Sequence, residues 1–559
     1  MMLSGAQIVI EELCAHGATT VFGYPGGQIL PLYDELYKNA DRITHILTAH
    51  EQGAAHAADG YARASGKTGV VIATSGPGAT NLVTGIANAY LDSVPMVAIT
   101  GNVPIPLLGK DSFQEVDIVG ITQPVVKHNF VIRDITKLGY TLREAFRIAN
   151  SGRRGPVLLD IPKDIQNETC EYDGGSQGDD PPGAADNFKS TAPPASRLSG
   201  IERAVEAIKN SRQPCIYAGG GVLASGAEAE LYELSKRLSA PVEFSMMGMT
   251  ALPNDYELNL GMSGMHGKFA ASVGQAECDL LIALGVRFSD RATGEVEAFK
   301  ERCTIIHIDI DLAEIGKNVS PNINICGDAK EVLTALLDAV PVMRNDEWLA
   351  RIRELKKVDD THQNGNFTPQ SIIETVGRYN NADTIVATDV GQHQMWTMQY
   401  YRFGNPRTLL TSGGLGAMGY GLGAAIGGCV ASGRQRSVLF TSDGSFGMNL
   451  IELATAVSQE LPVVIVILNN GVLGLVRQWQ RMFYDRRYSQ TTLNRKTDFA
   501  ALAKAFGAAG HTVDSIGQLK NILDNLPDKT PTVIDCHIDM DEVVLPMIPP
   551  GGTVKDIVY

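Results

Sequence analysis

Asp443 and Asn470, a carboxylate and a carboxamide 27 positions apart, are the residues of this chain with the most pointed chemistry. The run SVLFT (437–441) predicts a buried strand that leads into Asp443-Gly444-Ser445. Leu450, Leu453, Ala454 and Val457 recur at i, i+3, i+4 and i+7, the apolar stripe of a helix. Leu461-Pro462 closes that helix, and VVIVIL (463–468) predicts the next strand, ending at Asn469-Asn470. A right-handed crossover brings Asp443 and Asn470 to one carboxyl edge of a parallel sheet, where open α/β folds bind ligands. One carboxylate and one amide oxygen there suit Mg²⁺, which takes few protein ligands and completes its octahedron with water and phosphate oxygens. An Asp-Gly turn and an Asn turn at two strand ends would read the same in isolation.

The elements that position these groups follow from the rest of the chain. Its 559 residues suffice for roughly three or four domains, each with a core of its own. Hydrophobic content of 44% with 19% charged residues suits a soluble α/β protein, and 58 glycines suit many tight strand-to-helix turns. A net charge of −15 without a Lys/Arg cluster argues against nucleic acid as a partner. Eight scattered cysteines, with no CxxC and no zinc-like spacing, read as small buried apolar residues in a reducing compartment. The N-terminus has no basic flank followed by an apolar run, and no apolar run approaches the ~20 residues that span a bilayer. The expectation is a cytoplasmic protein with no membrane partner.

Strand-like runs followed by glycine turns alternate with helix-like pieces. Residues 21–22, 70–74 (VVIAT), 97–100 (VAIT) and 157–161 (VLLDI) are the expected strands of a first unit, 1–168. Residues 169–198, rich in Gly, Pro, Asp and Ser without periodicity, read as a linker. A second unit, 199–340, carries strands at 215–217, 280–284 and 305–308. The charged stretch 341–368 reads as a helix plus a second linker, and a third unit runs over 369–559. No repeat of short fixed period is visible. The fold class expected is α/β, with three doubly wound parallel-sheet domains.

The Asp443–Asn470 unit resembles the diphosphate-anchoring motif of thiamine-diphosphate enzymes, which opens on GDG and closes on NN. The departure is Ser442 in place of the first glycine, which would be strained if the turn needed φ > 0. Glu51 opens the Ala-rich segment HEQGAAHAADGYAR, where a helix dipole alone would favour an acid. The resemblance makes Glu51 the acid that contacts the cofactor's aminopyrimidine ring at N1′ and assists deprotonation of the thiazolium. That segment is similar to the acetohydroxyacid synthase (acetolactate synthase) large subunit. The likeness continues through FGYPGGQILPLYDEL (22–36), TSGPGATN (74–81), DSFQEVD (111–117) and SGRRGPVLLDIPKD (151–164). It extends over GMSGMHG (261–267), LLIALGVRFSDRATG (280–294), GQHQMW (391–396), GGLGAMGYG (413–421), VRQWQRMFYDRRYSQ (476–490) and PMIPPGG (546–552).

This resemblance implies a pyrimidine-binding first domain, an FAD-binding middle domain and a diphosphate-binding third domain. With Glu51, it assigns Gly27, Gly76 and Asn81 to thiamine diphosphate from the first domain. From the third it assigns Val390, Gly391, Gln392, His393, Gly416, Met418, Asp443, Gly444, Ser445 and Asn470. Mg²⁺ would be held by Asp443, Asn470 and the backbone carbonyl of Val472. Met418 would wedge the cofactor into a bent shape, where an isolated methionine would read as core packing. Around FAD it places Arg153, Gly220, Met265, His266, Arg287, Arg291, Asp309 and Asp328. Arginines suit a diphosphate and an acid at a strand end suits a ribose, although Arg287 and Arg291 read by composition as a solvated or ion-paired face. Ser289 stands where the family usually has Asp. The GVRFSDR segment speaks against flavin-free catabolic relatives.

Phe113, Gln114, Arg291 and Trp479 would line the substrate pocket, with Gln114 and Lys163 on the active-site wall. Trp479 would favour 2-ketobutyrate over pyruvate as acceptor, where the alternative is a core tryptophan on an amphipathic helix. The implied reaction decarboxylates pyruvate and joins the two-carbon unit to pyruvate or 2-ketobutyrate. The products are 2-acetolactate or 2-aceto-2-hydroxybutyrate, the entry to valine, leucine and isoleucine. The resemblance further implies a homodimer or homotetramer with sites at the subunit interface, and a small regulatory subunit as a possible partner. A flavin-using relative such as a pyruvate oxidase is the nearest alternative, and a non-catalytic homologue, supported by Ser442 alone, is a second.

Overall fold

A computed structural model describes residues 1–174, 194–293, 303–359 and 367–559 of the chain. Strand β1 (Met2–Ser4) precedes a first six-stranded sheet of β2 (Thr20–Tyr24), β3 (Thr44–Leu47), β4 (Gly69–Ala73), β5 (Met96–Asn102), β6 (His128–Val131) and β7 (Pro156–Pro162). Strand β8 (Thr169–Glu171) pairs antiparallel with β1. The middle sheet holds β9 (Pro214–Ala218), β10 (Val242–Phe244), β11 (Asn259–Met262), β12 (Leu280–Leu284), β13 (Thr304–Asp309) and β14 (Ile323–Cys326). The third holds β15 (Ile385–Thr388), β16 (Leu409–Leu410), β17 (Ser437–Thr441), β18 (Val463–Asn469), β19 (Ala509–Val513) and β20 (Thr532–His537). All pairings within these three sheets are parallel. Central strands such as β17 and β18 are continuous apolar runs because helices cover both faces.

The middle sheet has the order β11-β10-β9-β12-β13-β14, the doubly wound arrangement whose switch point lies between its first and fourth strands. The first and third sheets share a different order, β3-β2-β4-β5-β7-β6 and β16-β15-β17-β18-β20-β19. Renumbered from its own first strand, each reads 2-1-3-4-6-5. Chain direction therefore reverses beside β2 and β4 in one, and beside β15 and β17 in the other.

Six helices carry or brace the groups of chemical interest: α1 (Glu51–Ser65), α2 (Asp346–Asp359), α3 (Gln392–Tyr400), α4 (Tyr420–Ala431), α5 (Asp443–Asn449) and α6 (Gly474–Phe483). One continuous core joins the inner faces of the first and third sheets, from Phe22 and Val71 to Leu439 and Ile465. At its centre α1 and α4 touch backbone to backbone. A Cβ at Gly60 would collide with the Ala424 carbonyl, and one at Gly427 with the Ala57 carbonyl.

Three segments differ from expectation. The helix after β17 begins at Asp443 itself, passes through a 3-10 turn at Leu450–Glu452 and resumes at Leu453–Ser458. The tighter turn rotates the buried face onto Glu452, Leu453, Thr455 and Ala456, leaving Ala454 exposed. Within the expected first linker, β8 is a strand and Pro194 opens the helix Pro194–Asn210, while 175–193 lie outside the described residues. Within the second, α2 buries Trp348, Ile352 and Leu355 in a core with Leu260, Leu281 and Ile305 of the middle unit. Trp348 Nε1 also donates to the Pro214 carbonyl at 3.0 Å. Residues 360–366 lie outside the described residues. Among the described residues no helix is long and apolar enough to cross a membrane.

Candidate active site

The carboxyl ends of β15 and β17 flank the switch point of the third sheet, and most of the expected diphosphate residues gather there. Asp443, 6% exposed, opens α5; burial pushes its carboxyl up to about 6, and its Oδ1 is buried without a hydrogen-bond partner. Asn470, just beyond β18, accepts the Val472 N–H at 3.3 Å and donates to Gln392 Oε1 at 3.1 Å. Gln392 in turn donates to Gln478 Oε1 at 3.1 Å and to the Glu542 carbonyl at 2.8 Å, so its side chain holds Asn470 in place. Ser445 Oγ donates to the Val390 carbonyl at 3.1 Å. Met418 Cε lies 3.8 Å from where a Cβ on Gly444 would stand, and Val390 is similarly placed against Gly416. His393, beside Gly391, is buried and held neutral, its pKa lowered to about 3 by desolvation.

Ser442 is unstrained. Its backbone is extended at φ −126°, ψ 165°, and its Oγ accepts the Ser445 N–H at 3.3 Å as the cap of α5. Among the described residues no three His, Cys, Asp or Glu side chains converge to hold a metal. A cation at Asp443 would meet one carboxylate and otherwise neutral oxygens, as Mg²⁺ with a diphosphate requires. The orphaned Asp443 Oδ1 fits such an ion, because a buried carboxylate oxygen without a donor is costly.

The first-unit residues form a second group. Glu51 is buried at the start of α1 and accepts Asn81 Nδ2 at 3.0 Å. Gly76 lies against the backbone of Gln114, whose φ is 59°, and Lys163 Nζ donates to the Gly27 carbonyl at 2.9 Å. Phe113 is 85% exposed. Among the described residues no hydrogen bond or ion pair joins Glu51 to Asp443 or Asn470. Instead Glu452 of the third unit accepts the N–H groups of Ala49 and His50, at 3.1 and 2.9 Å, immediately before Glu51.

A third group joins the middle unit to α6. The Arg291 guanidinium sits 5.3 Å from the Trp479 ring centroid and 3.9 Å from Met265 Sδ. Met265 and Arg291 are also bonded through their backbones, and the Ile548 N–H donates to the Met265 carbonyl at 2.8 Å. Arg291 and Trp479 thus face one another, which their separation in sequence could not establish.

Gly220 and Arg287 stand at the switch point between β9 and β12, and Asp309 ends the neighbouring β13. The turn 219–221 after β9, which includes Gly220, presses on Gly285 after β12, with the Gly221 N–H donating to the Gly285 carbonyl at 3.2 Å. Arg287 Nη2 approaches Gly414 of the third unit. Asp309, at the end of β13, is buried, pushed up to about 6 by desolvation, and accepts the Asp311 N–H at 2.8 Å. His266 is buried and lowered to about 4, with Nδ1 unpartnered. Two expected residues are otherwise engaged: Arg153 pairs with Glu314 at 2.7 Å, and Asp328 caps the helix Ala329–Ala339.

Sequence reasoning missed Asp389 and Glu452. Asp389, fully buried after β15, accepts the Gly421 N–H at 2.8 Å and Thr441 Oγ1 at 2.6 Å, bracing the two strand ends that carry the site. Its one sequence signal is an acid following an apolar strand directly before Val390-Gly391. Glu452 also accepts Thr455 Oγ1 at 2.6 Å, an ordinary helix contact, while the partners that tie it to the first unit lie 402 and 403 positions away and leave no local signal.

Comparison with known proteins places the three sheets in a single class. Residues 3–121, 201–336 and 389–536 match, respectively, the N-terminal TPP binding domain, the central domain and the C-terminal TPP binding domain of thiamine pyrophosphate enzymes. The chain is 45% identical to a probable acetolactate synthase large subunit of Methanocaldococcus jannaschii, covering 100% of this chain and 95% of the relative. It is 43% identical to the acetolactate synthase isozyme 2 large subunit of Escherichia coli, over 99% and 98% of the two chains. A large subunit from Parasynechococcus marenigrum is 45% identical over 98% and 90%.

Proposed function

Because this chain belongs to the acetolactate synthase large-subunit family of thiamine-diphosphate enzymes, we propose that it decarboxylates pyruvate and joins the two-carbon unit to a second 2-ketoacid, pyruvate or 2-ketobutyrate. The observation that carries the site assignment is the buried, unpartnered Asp443 Oδ1 beside Asn470 at the switch point of the third sheet. When bound, thiamine diphosphate supplies a carbon nucleophile and an electron sink for loss of CO₂, and Mg²⁺ neutralises its diphosphate.

The chain's own residues do the rest. Asp443, Asn470 and the carbonyl of Val472 would hold the metal, and Gln392 accepts from the Asn470 amide nitrogen, which leaves its oxygen turned away from Gln392. Met418, beside Gly444, would support the cofactor's rings, and Glu51 would hold a proton at the pyrimidine ring. Arg291 meets the acceptor's carboxylate while Trp479 covers its alkyl group. An apolar wall of this kind discriminates one methylene by about 1–3 kcal/mol. Phe113, Gln114 and Lys163 form the opposite wall. FAD would be held by the middle unit, with Gly220, Met265, His266, Arg287, Arg291 and Asp309 as its contacts, and would serve as a structural group. Glu51 and Asp443 lie on different units, and among the described residues no hydrogen bond or ion pair joins them, which supports a homodimer, or a homotetramer built from it, with shared sites. The relatives' designation as large subunits supports a small regulatory partner.

The test is turnover of pyruvate by the purified protein with added thiamine diphosphate, Mg²⁺ and FAD, with 2-ketobutyrate in competition. Acetolactate, read as acetoin after acidification, is expected. Oxygen-dependent acetyl phosphate or bleaching of the flavin by pyruvate would instead mark an oxidase. Asp443→Ala should weaken Mg²⁺-dependent binding of thiamine diphosphate on the order of a hundredfold, about 2.7 kcal/mol. Unchanged binding by calorimetry would remove Asp443 from the site.

A further inference from the structure

Between β16 and α4 the chain runs through residues 411–419 as an irregular loop that carries Met418 at its end. Four of its nine residues are glycine, and Gly416 and Gly419 have φ of 69° and 87°. Such a segment loses much conformational freedom when ordered and has little intrinsic preference for one shape. Its contacts with the first unit are therefore informative.

Asp92 accepts the Gly414 N–H on Oδ1 at 2.7 Å and the Gly413 N–H on Oδ2 at 3.0 Å. Arg63 Nη2 bonds Asp92 Oδ2 at 2.9 Å, and its Nε bonds Asp59 Oδ1 at 2.5 Å. Asn88 donates to Asp59 Oδ2 at 3.2 Å and accepts Ser412 Oγ–H at 2.5 Å. Ser412 Oγ in turn accepts the Ala417 N–H at 2.9 Å, one residue before Met418. At the far end, the hydroxyl of Tyr420 donates to Asp59 at 2.7 Å. Both carboxylate side chains are 0% exposed and that of Arg63 is 9% exposed.

Two buried carboxylates against one guanidinium leave a negative charge that must be met by hydrogen-bond donors. The loop amides and the Tyr420 hydroxyl meet it. Gly413 and Gly414 are themselves exposed, so water competes for their amides, and the buried Asp92 carboxylate is what turns both inward. The carboxylates need these donors, so the loop keeps one shape as long as the cluster is intact.

We propose that Asp59, Arg63, Asn88 and Asp92 of the first unit are a buried template that fixes the conformation of loop 411–419 and so presents Met418 to thiamine diphosphate before the cofactor arrives. This rests on the reading that Met418 and the Asp443 turn hold that cofactor. The four are positioning residues: they touch the loop, not the substrate. Loosening the template makes cofactor binding carry the cost of ordering the loop, whereas the assembled site works as before.

The experiment uses the full-length protein in Mg²⁺, with calorimetry of thiamine diphosphate binding and steady-state kinetics on pyruvate. Asp92→Asn keeps the size of the side chain but loses its charge and one of its acceptors. Its dissociation constant for thiamine diphosphate should rise at least tenfold, while kcat and the pyruvate KM at saturating cofactor stay within twofold of wild type. Ser412→Ala removes only the Ala417 and Asn88 links and should raise the constant severalfold with the same kinetic split. It carries the test should Asp92→Asn fail to fold. Cofactor affinity within twofold of wild type in the folded variants overturns the template, as does a fall in kcat at saturating cofactor without a change in affinity. A wild-type protein that bound no thiamine diphosphate would overturn the cofactor reading itself.

Discussion

Ser442 does two jobs at the turn into Asp443: its carbonyl accepts the Phe446 N–H at 2.8 Å and its hydroxyl caps α5. Neither needs a backbone shape reserved for glycine. Ser442→Gly, which restores the spelling usual in relatives, should therefore change thiamine diphosphate affinity less than twofold and lower stability by only a few tenths of a kcal/mol. A tenfold gain in affinity, measured by calorimetry, would mean that the serine is a handicap after all. The residue's neutrality could not be read beforehand, because sequence does not disclose φ. The placement of Asp443 and Asn470 at neighbouring strand ends was legible because their spacing is local to one strand–helix–strand unit, whereas Glu51 stood out only through resemblance. Asp92 was not, since a lone acid at a helix end has many uses.

At the scale of elements, α1 and α4 are close enough that their glycines are structural. Gly427→Ala sets two effects against each other. Helix propensity alone would stabilise by about 1 kcal/mol. The added methyl, however, must displace the Ala57 carbonyl, and overpacking of that kind costs about 1–3 kcal/mol. The expected outcome is net destabilisation, seen as a lower thermal midpoint; a higher midpoint would show that the helices separate cheaply. Central strands of all three sheets were visible as apolar runs, since parallel strands covered on both faces need them, whereas edge strands such as β3, β6, β14 and β19 were not. The helix α2 was expected, but its charged flank hid that Trp348, Ile352 and Leu355, at helical spacing, pack into the core of the middle unit. The 3-10 turn at Leu450–Glu452 was invisible because a stripe at i, i+3, i+4 and i+7 assumes uniform winding.

Across the whole molecule, burial sets the response to acid. His45, His56 and His266 are pushed down to about 4 and His393 to about 3, all by desolvation. An unfolded histidine binds its proton near 6.5, so below that pH the unfolded state gains protons that the folded state refuses. Their contribution is complete above about pH 6.5 and is lost as pH falls toward 4. Asp160, Asp309 and Asp443, pushed up to about 6, act the other way, and burial raises Glu243, Asp389, Glu452, Asp535 and Glu542 in the same sense. The two sets offset one another, so the histidine share is read by comparing a variant with wild type between pH 6.5 and 4.5. His56→Gln, which removes one site with no exposure to water, should gain thermal midpoint relative to wild type as pH falls through this range. A variant whose midpoint kept a constant offset from wild type across the range would contradict the burial of that ring.

The sequence by itself determined the three α/β units and the strand ends at which Asp443 and Asn470 stand. Each depends on periodicity or spacing within some thirty neighbouring residues, which backbone geometry turns directly into local structure. The tertiary structure decided which distant groups meet. It set Trp479 under Arg291, gave Glu452 the amides before Glu51, and laid the Met418 loop on Asp92 across 321 positions of chain. It also revealed that the first and third sheets share one strand order, a likeness of topology that leaves no periodic trace in sequence. Buried polar groups must find partners, but which partners they find depends on how whole elements cross, and no local pattern encodes that crossing.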